Sequence, residues 1–72
     1  MLQGIEVFKT NIQLPPQANA VCKALYIHFP AYTIDFDLED CDRVLRVKGA
    51  NVAAEQVMNC VRASGFECDI LE

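Results

Sequence analysis

The sequence predicts an α+β fold: a ferredoxin-like βαββαβ sandwich, with a four-stranded antiparallel sheet carrying two helices on one face. Three observations predict it. Four short segments alternate apolar and polar residues, two longer segments repeat their apolar residues at helical spacing, and the second half of the chain repeats the order of the first. At 72 residues the chain reads as one domain spanning 1–72 with no linker or low-complexity segment, since a chain this short forms one core.

The first strand is expected over residues 5–12, Ile-Glu-Val-Phe-Lys-Thr-Asn-Ile, from its branched and aromatic side chains. Pro15-Pro16 stops it and suits the opening of a helix, where a missing N–H costs nothing. Residues 17–29 place Val21, Leu25 and Phe29 four apart, which makes an amphipathic helix ended by Pro30. Tyr32 to Leu38 alternates strictly and reads as a half-buried strand. The acidic turn Glu39-Asp40-Cys41-Asp42 then returns the chain through Arg43 to Lys48 as its hairpin partner. Asn51 is the expected N-cap of a second helix reaching Ser64, with Ala54, Val57, Met58 and Val61 as its stripe and Gly65 as its left-handed cap. Phe66 to Leu71 alternates again as the last strand.

Six Lys plus Arg against ten Asp plus Glu give a net charge of −4, with Asp35, Asp37, Glu39, Asp40 and Asp42 clustered. Such a balance excludes nucleic acid, which needs a basic face to neutralise phosphate, and disfavours anionic membranes. No apolar run approaches the roughly 20 residues of a membrane span and no basic n-region precedes an apolar stretch, so no membrane insertion and a cytoplasmic location are expected. The four cysteines are then expected to stay reduced. The 53% hydrophobic content exceeds the usual 45–50% or so, which points to a surface covered by a homodimer mate or by another protein. The expected surface is the sheet face without helices, where parity assigns Glu6, Val44, Arg46 and Leu71, with Phe8 beside them.

Catalysis is not expected. The chain has one histidine and no glycine-rich phosphate loop, its carboxylates fall on strand and turn positions, and a core this small leaves little room for a pocket of about 300 Å³ or more. The acidic run from Asp35 is no calcium loop, because it lacks the glycine at its sixth position and carries Arg46 in place of the closing glutamate. Cys22 and Cys60 fall mid-helix and Cys68 on the inward parity, where thiols act as small hydrophobes. Cys41 sits exposed in the acidic turn. His28 lies at the end of the first helix, where a cation is favoured.

With these elements in place, the chain resembles the heavy-metal-associated domains, the small copper chaperones and the N-terminal domains of metal ATPases. The resemblance runs over nearly the whole chain and rests on Val21-x-x-Ala24-Leu25, on Ile34-x-Phe36-Asp37-Leu38-Glu39 and on Val57-x-x-x-Val61-x-x-Ser64-Gly65-Phe66. It implies the fold already read and a soft-metal site, Met-x-Cys-x-x-Cys, at the junction of first strand and first helix. Aligned on Val21, the two ligand positions fall at Leu14 and Gln17, and residues 11–17 hold no thiol, imidazole or carboxylate. The family's metal site therefore has no residues to carry it here. The expected role is a non-catalytic interaction or dimerisation module without a cofactor. The alternative is a copper or zinc carrier using Cys22, Cys41, Cys60 or His28.

Overall fold

The structure is a computed structural model that describes residues 3–71. Met1, Leu2 and Glu72, the ends of the expected 1–72 domain, lie outside it. Six elements follow in the expected order: β1 (Gln3–Thr10), α1 (Pro15–His28), β2 (Thr33–Asp37), β3 (Val44–Ala50), α2 (Ala54–Ala63) and β4 (Cys68–Ile70). The strands form one antiparallel sheet in the order β2-β3-β1-β4. This is the predicted sandwich. Phe8, Leu45 and Val47 on the sheet meet Val21 and Leu25 of α1 and Val57 and Val61 of α2, all fully buried.

Register settles which side chains face the helices. Phe8 stands opposite Leu45 and Glu6 opposite Val47. Partners across an antiparallel pair share a face, so Glu6 and Phe8 belong to the helix-covered side and not to the open face on which parity had put them. Apolar residues occupy both parities of the expected strand 5–12 (Ile5 and Val7, Phe8 and Ile12), of which Ile12 falls in the loop after β1, so alternation alone does not orient the strand. The open face instead carries Ile5, which is 56% exposed, and half-buried Val7, beside Arg46 and Lys48 of β3 and Asp35 and Asp37 of β2. Val44 keeps its outward parity but is only 6% exposed, which removes it from the accessible surface.

Helix boundaries also shift. The first helix begins at Pro15 rather than residue 17, because both prolines occupy opening positions and Leu14 caps in an extended conformation. Asn51 is not a cap. It adopts a left-handed φ of 54°, and α2 starts after Ala53 with no side-chain cap. Gly65, at φ 96°, ends α2 as predicted.

Aromatic residues lock the connections. Phe29 stacks on Tyr32 with ring centres 5.2 Å apart. The Tyr32 hydroxyl donates to the Asn51 carbonyl at 3.1 Å and accepts the Ala53 N–H at 3.0 Å, tying the end of α1 to the start of α2. Tyr26 on α1 reaches the outer strand: its hydroxyl accepts the Ile34 N–H at 3.2 Å.

Candidate functional site

Among the described residues, three places are candidates for the chemistry-bearing side chains they hold. The first is the loop between β1 and α1, where the resemblance put a metal site. Ile12 is fully buried and pins the loop to the core. The Gln17 carboxamide oxygen accepts the N–H groups of Gln13 and Leu14, both at 3.1 Å, and the Leu14 side chain points outward, 56% exposed. Gln17 is thus committed to holding the backbone, and neither expected position supplies a donor that a soft ion prefers.

The second is the turn beside that loop. Thr10, at the end of β1, donates its hydroxyl to the Arg43 carbonyl at 2.6 Å and its N–H to the Asp42 carbonyl at 3.0 Å. Arg43, at a left-handed φ of 47°, sends its guanidinium back to the Leu38 carbonyl. The turn therefore packs against the β1 end of the molecule and presents Asp40, exposed Cys41 and Asp42, one ligand atom from each lying within 4.8 Å of the others. Part of that capacity is used internally, since Asp40 Oδ1 accepts the Asp42 N–H at 2.9 Å.

The third was not foreseen as a unit. An open groove of about 400 Å³ runs between the end of α1 and α2, lined by His28, Phe29, Gln56, Asn59 and Cys60. The groove lies open on the surface rather than enclosed within the core. The sequence named His28 and Cys60 separately and missed Gln56 and Asn59. The signal was present in the spacing, for residues 56, 59 and 60 fall on one face of a helix, beside the apolar stripe of Val57 and Val61.

The thiols divide by burial. All four cysteines are free: Cys41 exposed, Cys22 and Cys60 half-buried, Cys68 buried. Burial pushes the Cys22 and Cys60 thiols above their ordinary range and carries Cys68 to about 12. On the open face Arg46 grips Asp35 through Nε at 3.0 Å and Nη2 at 2.6 Å, and this pairing raises the guanidinium pKa further. Arg62 pairs with Asp69 at 3.0 Å and also donates to the Cys68 carbonyl at 2.8 Å. Asp37, Glu39, Asp40 and Asp42 have no ion-pair partner among the described residues. Leu71 is half-buried, with its N–H on the Val7 carbonyl at 2.9 Å.

The fold has a solved counterpart. The yeast copper transporter domain Ccc2a, determined in solution in its apo and Cu(I)-loaded states, superposes with a TM-score of 0.79 at 18% identity, covering 94% of each chain. The shared architecture supports a heavy-metal-associated-like fold. No family model and no curated protein sequence matches the chain. The comparison corrects one expectation. A domain of this architecture has been solved holding Cu(I), so the expectation of no cofactor is withdrawn. No helix among the described residues is long and apolar enough to cross a membrane.

Proposed function

We propose that this chain is a non-catalytic docking domain that meets a lysine- or arginine-rich protein surface through the acidic lobe formed by β2 and the turn after it. One observation carries the reading: Asp37, Glu39, Asp40 and Asp42 lie together without ion-pair partners among the described residues. Unneutralised carboxylates on one edge steer a basic partner at long range and set the orientation of the encounter. A second copy is the poorer occupant, because two chains each at −4 repel.

The test is binding of a purified partner to wild type and to the amide variant D37N/E39Q/D40N/D42N across a salt series. Affinity should fall as salt rises, and the variant should lose most of it. Binding indifferent to both, or self-association that survives in the variant, would overturn the reading.

A second reading, carriage of a soft metal ion, is favoured by the Cu(I)-loaded state of Ccc2a together with the presence of His28 and Cys60 in the lining of one groove. Metal analysis of protein purified without chelator, followed by anaerobic Cu(I) titration, tests it. Metal-free protein that takes up no ion would reject it.

A further inference from the structure

We propose that the groove between the helices is a thiophilic-ion site, with Cys60 Sγ and one imidazole nitrogen of His28 as its protein donors. This inference rests on the soft-metal reading and names where the ion sits. Its occupant is a closed-shell d10 ion, Cu(I) or Zn(II).

Four features converge there. His28 and Cys60 are a borderline nitrogen donor and a soft sulfur donor lining one groove, the pairing that Cu(I) and Zn(II) select over carboxylates. The groove lies at the C-terminal end of α1, where the helix closes with the Phe29 N–H on the Leu25 carbonyl at 2.7 Å. The last carbonyls of a helix make that end the negative pole, which attracts a cation. Gln56 and Asn59 line the same groove and offer neutral amide oxygens that would supplement the sulfur and nitrogen for Zn(II), whereas Cu(I) would need only those two. Finally, the groove is open, and an ion enters without the helices parting.

The other candidates in the chain are weaker. The β1–α1 loop offers Leu14 and a Gln17 oxygen already bound to two N–H groups. Cys41 stands between two hard carboxylates, one of them occupied by the turn's own backbone. Cys68 is buried beneath the sheet at 1% exposure. Loading the groove forms a metal–sulfur bond and releases the Cys60 thiol proton to solvent, with no change in oxidation state.

The experiment titrates the folded chain anaerobically with Cu(I) against a chromophoric chelator, and separately with Co(II) as a spectroscopic stand-in for Zn(II). Wild type is compared with Cys60→Ser, His28→Gln, Cys41→Ser and Cys22→Ser. Cys60→Ser and His28→Gln should each weaken binding by about tenfold or more, and the sulfur-to-cobalt charge-transfer band should vanish in Cys60→Ser alone. Cys41→Ser and Cys22→Ser should bind as wild type does. Should Cys60→Ser fail to fold, amide NMR of wild type decides, with His28, Phe29, Asn59 and Cys60 shifting first. Loss of binding in Cys41→Ser with Cys60→Ser and His28→Gln unaffected would overturn this site and leave the soft-metal reading standing. A wild-type chain that binds neither ion removes both.

Discussion

The carboxamide oxygen of Gln17 accepts the N–H of Leu14 at 3.1 Å, and through the same oxygen the N–H of Gln13. A side chain from the first turn of α1 thereby closes the loop before it, at the position where the resemblance put a metal ligand. The loop keeps its shape by hydrogen bonding from the helix that follows it.

Gln17→Ala should therefore destabilise the domain by about 1 kcal/mol, the usual net value of such a bond and of a helix-start contact. In a domain this small that is a fall in Tm of roughly 4–8 °C. Thermal unfolding by circular dichroism checks it. An unchanged Tm would mean that water replaces the carboxamide without cost.

Gly49 is held to glycine by its neighbour rather than by its backbone angles. A Cβ there would lie 2.7 Å from the Tyr32 ring. Gly49→Ala should cost about 1–3 kcal/mol through overpacking, and Tyr32→Ser in the same chain should recover part of that loss. Urea unfolding of the two single variants and the double variant measures the coupling.

Phe8 is fully buried between β3 and β4, opposite Leu45 and Ile70. Phe8→Ala should remove about 3–5 kcal/mol. For a domain with a total stability of order 5–15 kcal/mol, most of the margin goes with it. Collapse of amide dispersion in a proton–nitrogen NMR spectrum would report the loss, and a well-dispersed variant spectrum would contradict the inward placement.

Burial disfavours the Cys68 thiolate and pushes the thiol of the folded chain up to about 12, from 9.0 for an unburied thiol. Its contribution to stability is complete below about pH 9 and is lost as pH rises from there toward 12, since the unfolded chain ionises first. Urea midpoints should fall over that window for wild type and fall less for Cys68→Ala. Under native conditions near pH 8, a thiol-reactive dye should label exposed Cys41 first and Cys68 last.

Much of the fold was legible in the sequence, and the reasons are local. Strict alternation in residues 32–38, the proline pair opening α1 and Gly65 after α2 each fix one element. What escaped was the facing of β1, because Ile5 and Val7 match Phe8 and Ile12 in hydrophobicity and register with β3 decides between them. The site was legible only in fragments. His28 and Cys60 stood out as donors, but their meeting depends on how α1 packs across α2, which no spacing within either helix encodes. The role of Gln17 was hidden by its looking like the mere absence of a cysteine.

The hydrogen bond from the Ile34 amide to the Tyr26 hydroxyl has a consequence for life in concentrated solution. β2 is an outer strand, and an outer strand with free amides is a template on which like chains stack edge to edge into fibrils. Tyr26 occupies the acceptor place that an incoming strand's carbonyl would need, while Asp37 along the same strand, without an ion-pair partner among the described residues, repels its own copy. Tyr26→Phe should therefore leave the core intact and speed fibril formation, which an amyloid-dye assay on concentrated protein would read.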